Sequence, residues 1–290
     1  MSRIDDDTDP AAQPGTTPAP LIDPAGVVTP APSEITALRR YTQARIGLGR
    51  AGQGLPTADH LRFGLDHARA RDAVWTGIDA EELVRALADR GLTSCHVSSK
   101  ARDRTEYLRR PDLGRQLSVE GEAVLAALPS MPVNPAAAVT LVIADGLSAA
   151  AVMLNALDLV DALRPRLNAA GIGLIATVVA TQARVALGDA IGAQTGARLV
   201  VVLIGERPGL SAADGLGCYI TFAPEPGTLD SARNCISNIR PGGLDIDSAA
   251  AKITWLAGEA LRRRLTGIGL KEASGVAVPA AGQPRVLSER

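Results

Sequence analysis

Three runs rich in Val, Ile and Leu, within AVTLVIADGLS, GLIATVVA and RLVVVLIGERPGL, alternate with two stretches of helical texture, and this cadence constrains the fold more than any other feature. Runs that lack polar alternation belong to strands covered on both faces. Strand, helix, strand, helix, strand at this spacing predicts right-handed crossovers and a mainly parallel sheet. CYITFAP is a candidate fourth strand. The strands close on polar or glycine-bearing loops, so Asp145, Gln182, Arg184, Glu206 and Arg207 are expected along the carboxyl edge, where open α/β sheets bind ligands. The sharpest transition falls at Gly205, where the uncharged run from Leu199 gives way to Glu206, Arg207, Pro208 and Gly209 and a carboxylate is presented at the strand's end.

The remaining chain divides around this unit. Residues 1–32, rich in Pro, Ala, Thr and Asp without hydrophobic periodicity, predict a flexible extension. Residues 33–132 predict a helical region with loops suited to partner contacts. In it SEITALRRYTQARI places Ile35, Leu38 and Ile46 on one helix, LPTADHLRFGLDHARARDAVW and DAEELVRALADRG are two more, and LTSCHVSS is a short candidate strand. Gly47, Gly49 and Gly52 satisfy G-x-G-x-x-G, but a helix precedes them and Gly54 and Pro56 follow, so they predict a turn. KARDRTEYLRRPDLGRQL, broken by Pro111 and Gly114, reads as an arginine-rich loop with a solvated face, the alternative being a contact surface for a partner or phosphate. The fold class expected is α/β: a C-terminal, mainly parallel open sheet flanked by helices over residues 133–271, Rossmann-like in outline, preceded by the helical region. Within it LDSARNCISNIRPGG reads as a polar loop, and DSAAAKITWLAGEALRRRLTG as a final helix that packs Ile253 and Trp255 or Leu256 inward. Residues 272–290 predict a loose tail.

Composition removes several functions. Thirty Lys and Arg against 31 Asp and Glu leave no global positive field for a nucleic acid backbone, and aromatic residues at 2% leave few platforms for stacking bases. Cys95, Cys218 and Cys235 lie far apart without a CxxC pair, which speaks against a disulfide framework or zinc knuckle and for a reducing cytoplasm. No run is long enough to span a bilayer, and MSRIDDDTDP has no export-signal pattern, so neither membrane insertion nor export is expected. His60 and His67 stand seven apart, too far for the usual helical metal pair. No histidine follows His96, so the α/β unit has no imidazole for a catalytic triad, and ADGLSAAA after its first strand is neither a Walker loop nor a dinucleotide fingerprint. What remains is a ligand-presenting edge with one strand-end carboxylate, one thiol and several amide and guanidinium donors: half a site. Read from these residues alone, the alternatives are a stand-alone nucleotide- or flavin-binding α/β protein and a structural interaction protein.

The strings LRRYTQARIGLGRAGQGLPT, LRFGLDHARARDAVW, YLRRPDLGRQL, IADGLSA, RVALGDAIG, VVVLIGERPGL and RNCISNIRPGGL resemble, in order, the small (light) subunit of ethanolamine ammonia-lyase, over roughly Ser33 to Lys271. The resemblance implies an adenosylcobalamin-dependent lyase that converts ethanolamine to acetaldehyde and ammonia by a radical mechanism. It implies a large partner subunit that holds the substrate and most catalytic groups, in an assembly of six large and six small subunits, with this chain closing over the corrin. Carried over motif by motif, the cobalamin contacts fall on Val185 in ARVALGD, Glu206 in IGERPGL and Cys235 in RNCISNI, with no catalytic or metal-ligating residue expected here. The missing histidine then predicts base-on binding. Some members of the family carry an amphipathic N-terminal helix leading into a bacterial microcompartment. MSRIDDDTDPAAQPGTTPAP shows no apolar helical stripe, so the expected location is cytoplasmic, with encapsulation open.

Overall fold

The computed structural model describes residues 28–29, 33–129 and 134–275. The expected extension over 1–32 falls outside these apart from Val28 and Thr29, as does the expected tail beyond Gly275. The chain forms two compact units, residues 1–62 and 63–290.

In the first unit, β1 (Val28–Thr29) pairs antiparallel with β2 (Arg50–Ala51). Helix α1 (Ser33–Ala37) continues as a 3-10 turn over Leu38–Tyr41 and stops, so it does not reach Ile46 as the apolar spacing predicted. The reason is local: Thr42 is extended, and the Arg39 guanidinium donates to the carbonyls of Ile46 and Gly47 at 2.9 and 2.7 Å, folding the chain back. Gly47, Gly49 and Gly52 all have positive φ, as a turn requires and a helix-opening fingerprint does not. Helix α2 (Thr57–Trp75) begins here and ends in the second unit.

The second unit continues with α3 (Ala80–Asp89), β3 (Ser94–Ser98), α4 (Arg104–Arg109) and α5 (Val119–Ala126). The α/β series follows: β4 (Ala138–Ala144), α6 (Ala149–Ala169), β5 (Gly173–Thr181), α7 (Leu187–Gln194), β6 (Leu199–Gly205), β7 (Leu216–Phe222), β8 (Asn234–Ile239) and α8 (Ile246–Arg263). The sheet order is β3-β5-β4-β6-β7-β8, with the first four strands parallel and the last two antiparallel additions. The α/β class with a mostly parallel sheet is as expected. The edge strand β3 is drawn from LTSCHVSS, inside the region read as helical.

Strands β4 and β6 are buried at every position. Their residues alternate between two cores: Leu141, Ile143 and Leu203 pack with Leu159, Leu163, Ile253 and Leu256 of α6 and α8, whereas Val142, Val202 and Ile204 pack with Leu187 and Ile191 of α7. Helix starts are capped by the expected chemistry, Ser148 accepting from Ala151 N at 3.1 Å and Asp245 from Ser248 N at 2.8 Å.

Two stretches read as loops are regular structure. Arg104–Arg109 is a helix, capped by Asp103 through Glu106 N at 2.8 Å, because it buries Tyr107 completely. RNCISNIR supplies β8: Asn234 and Cys235 pair with Ile220 and Tyr219, and Ile236 and Ile239 face the core. Beyond α8, Leu270 is buried and Glu272 accepts from Lys252 Nζ at 2.9 Å. The Ser274 hydroxyl and the Lys252 ammonium hold the Glu272 carboxyl down to about 2. Because this folded value lies below that of an unconstrained glutamate, the attachment is present above the unfolded pKa and is lost as pH falls through the folded one. NMR titration of the Glu272 side chain is expected to give a midpoint near 2; an ordinary glutamate midpoint would show that these contacts do not persist in solution.

Candidate functional site

The carboxyl edge of the parallel strands gathers the polar residues in two groups. In the first, Asp145 at the end of β4 is 1% exposed and accepts from Gln182 N and Ala183 N at 2.8 and 2.9 Å, and from Arg104 Nη1 at 3.2 Å. Burial pushes its carboxyl up, opposed by the Ala183 N–H and the Arg104 charge. Gln182 takes φ 53, a left-handed conformation rare for a residue with a side chain, and the Asp145 carboxylate secures it. Arg104 and Arg184 stand over the Tyr107 ring at 4.7 and 4.1 Å, and the Tyr107 hydroxyl donates to Ala183 O at 3.1 Å. This group shapes the turn that delivers Val185. Asp145 and Arg104 pair within the protein, whereas Arg104 Nη2, Arg184 Nε and Gln182 Oε1 are buried without a hydrogen-bond partner among the described residues.

The second group is open. Glu206, directly after β6, is half-buried, and its carboxylate accepts from Asn238 N at 3.3 and 3.2 Å. Burial pushes its carboxyl up against the pull of the Asn238 N–H and of Arg240. Asn238 has φ 59 and accepts from Arg240 Nε at 2.8 Å, so the end of β8 bends to present its N–H to the carboxylate. A methyl group at Gly217 would lie 3.0 Å from Glu206 Oε1, so the bare backbone there leaves the carboxylate its place. Arg207 is exposed beyond it.

Register connects Glu206 with the other two candidates. Helix α7 lies so close on β6 that a Cβ at Gly188 would overlap Cγ2 of Val202. Val202 pairs with Tyr219 on β7, and Tyr219 pairs with Cys235 on β8. Val185 stands two residues before α7, and both it and Tyr219 pack against the α7-side core. Val185, Glu206 and Cys235 therefore lie on the α7 side of the sheet, Glu206 at its carboxyl edge and Cys235 level with Val202 in the middle of β6, with Tyr219 beside Cys235. The sequence reading missed Tyr219, whose only signal was its place in CYITF.

Burial pushes the Cys235 thiol up, partly offset by its hydrogen bond with Tyr219, so it is no thiolate nucleophile. Among the described residues no group of three or more His, Cys, Asp or Glu could hold a metal ion, and no helix is long and apolar enough to cross a membrane. His96 lies on β3 and meets Thr181 Oγ1 at 2.9 Å. The face can accept hydrogen bonds through Glu206 and offer apolar and aromatic surface through Val185 and Tyr219. It holds no base aligned with a nucleophile.

Beneath this face sits a pair that the sequence reading also missed. Asp189, in the first turn of α7, accepts from Arg233 Nη1 at 2.5 Å, their side chains 1% and 2% exposed. Arg233 stands two residues before Cys235 and donates also to Thr221 Oγ1, Thr228 O and Asp230 Oδ1 at 3.1, 2.7 and 3.2 Å.

Comparison with known proteins places these features in a family context. The family model for the ethanolamine ammonia-lyase light chain (EutC) matches residues 32–271. The ethanolamine ammonia-lyase small subunit of Rhodopseudomonas palustris (strain BisA53) is 52% identical over 246 residues, 85% of this chain and 93% of the relative. That of Bradyrhizobium diazoefficiens is 53% identical over 243 residues, 83% and 92% of the two chains, and that of Azotobacter vinelandii is 51% identical over 240 residues, 83% and 88%.

Proposed function

The chain belongs to the ethanolamine ammonia-lyase light-chain family, and from that premise we propose that it forms one wall of an adenosylcobalamin site, completed by a large partner subunit that holds ethanolamine and the reacting groups. What supports this reading is that Val185, Glu206 and Cys235, from three separate segments, all lie on the α7 side of the sheet. Half a site is what a subunit that closes over a shared cofactor needs.

The residues suit that cofactor. Glu206 is an acceptor-only carboxylate, fixed by Asn238 N–H, and it complements the amide N–H groups on the rim of a corrin. Val185 and the Tyr219 ring offer apolar surface to the macrocycle, and the protonated Cys235 thiol is a weak polar contact. When bound, adenosylcobalamin supplies the radical chemistry that removes hydrogen from ethanolamine and leads to acetaldehyde and ammonia. This chain's part is to bind and orient the cofactor and to exclude water from it. With no histidine after His96, the unit would offer no imidazole to replace the cofactor's own lower base, so on this chain's side base-on binding would be undisturbed. An EPR spectrum of the cob(II)alamin state with coupling to a histidine of this chain would overturn that assignment. The assembly in this reading is six large and six small subunits in the cytoplasm.

The test is reconstitution. Expressed with the large subunit and given adenosylcobalamin, the pair should deaminate ethanolamine and this chain alone should not; activity of the chain alone would overturn the half-site reading. Glu206→Ala is expected to weaken apparent cofactor affinity about ten- to a hundred-fold, the range for a hydrogen bond to a charged group, with the circular dichroism spectrum unchanged. An unaltered affinity would remove Glu206 from the site.

A further inference from the structure

The Asp189–Arg233 pair joins the segments that bear two of the three candidate contacts, and its construction is poorly explained by stability alone. Asp189 lies four residues after Val185 and Arg233 two before Cys235, so one buried bond ties the start of α7 to the start of β8. The rest of α7 is already seated by close packing, Gly188 against Val202 and Gly192 so near Pro224 that a Cβ would come within 2.5 Å of its Cγ. Two buried charges are expensive to desolvate, and a well-packed apolar pair of similar volume commonly serves stability as well or better. Moreover, Asp189 Oδ2 accepts no hydrogen bond from the protein, so the carboxylate is not even fully used. What the charged pair adds is directed bonding between helix and strand. Arg233 makes four such bonds, to α7, to Thr221 on β7 and to the 228–230 turn.

We infer that Asp189 and Arg233 are a positioning pair for cofactor binding: they set the separation of Val185 from Cys235, and thereby the width of the face that receives the corrin. Neither residue touches the cofactor. The inference rests on the cobalamin reading of this face.

The experiment uses the assembled complex of large and small subunits, with hydroxocobalamin retention measured by equilibrium dialysis alongside the KM for adenosylcobalamin, the KM for ethanolamine and kcat. The double variant Asp189→Leu/Arg233→Met replaces the charges with apolar volume. It is expected to fold and assemble but to retain hydroxocobalamin about ten-fold less tightly, the size of effect seen when residues supporting a binding shell are removed. The KM for adenosylcobalamin should rise in parallel, with the KM for ethanolamine and kcat at saturating cofactor unchanged. Arg233→Lys keeps the charge and loses the fork, and should show the same split to a smaller degree. A folded, assembled double variant with wild-type retention overturns the inference, and so does failure of both variants to fold, which would make the pair a stability device. If instead the wild-type complex does not retain hydroxocobalamin, the cobalamin reading itself has failed.

Discussion

Arg233→Ala is expected to destabilise the 63–290 unit by about 3–5 kcal/mol, the cost of leaving a buried charge without its partner, and to lower its thermal midpoint by about 10 °C for a unit of this size. The Asp189 carboxylate would remain with its side chain 1% exposed and no counter-charge. Thr221 Oγ1 and the Thr228 carbonyl would lose the guanidinium as donor at the same time. The double variant Asp189→Leu/Arg233→Met removes both charges, so it should recover most of this loss. Thermal melts of the single and double variants form the check. A single variant within about 1 kcal/mol of the wild type would mean that the pair behaves like an exposed one, contrary to its burial.

Asp145→Ala is expected to cost a similar amount, about 3–5 kcal/mol, for a different combination of reasons. Its carboxylate neutralises Arg104, whose side chain is 11% exposed, and holds the N–H groups of Gln182 and Ala183. Without it the guanidinium keeps only its bond to Val74 O and its place over Tyr107, and two backbone donors lose their acceptor. Gln182, at φ 53, would also lose the bond that stabilises its conformation. Asp145→Asn retains an acceptor oxygen but not the charge, so an intermediate loss is expected. Denaturant unfolding of the three proteins should rank them wild type, Asn, Ala. An alanine variant as stable as the asparagine one would show that the charge, and not the acceptor geometry, carries the effect.

The two substitutions separate what was legible in the chain from what was not. Asp145 stood out in the sequence as a polar residue closing a buried strand, and it lies at that edge. Glu206 lies at the same edge, but the two face different ways: Asp145 is engaged inward with Arg104 and the β5–α7 turn, whereas Glu206 meets Asn238. Residue type and strand order predict which loops share an edge; they do not say whether a carboxylate turns toward an arginine from a distant helix. Arg233 and Asp189 gave no signal, since an aspartate in a helix's first turn and an arginine before a strand are ordinary on any surface, and only packing buries them together over 44 positions of sequence. The polar look of RNCISNIR and the arginine density around Tyr107 misled for a related reason. An edge strand needs apolar residues on one face alone, and a short helix can be held by one fully buried ring.

The sequence by itself determined the α/β class, the uncharged strands at the centre of the sheet and the family, whereas Val185, Glu206 and Cys235 were candidates only through the resemblance to that family. These depend on local pattern and residue identity, which a chain carries before it folds. Tertiary structure alone decided that β3 closes one side of the sheet and that β7 and β8 extend the other antiparallel, putting Tyr219 beside Cys235. It alone decided that a buried Asp189–Arg233 bond spans the two segments carrying Val185 and Cys235. Strand pairing and burial of charge arise from contacts between residues far apart in the chain, and a contact of that kind has no period or motif by which the sequence could announce it.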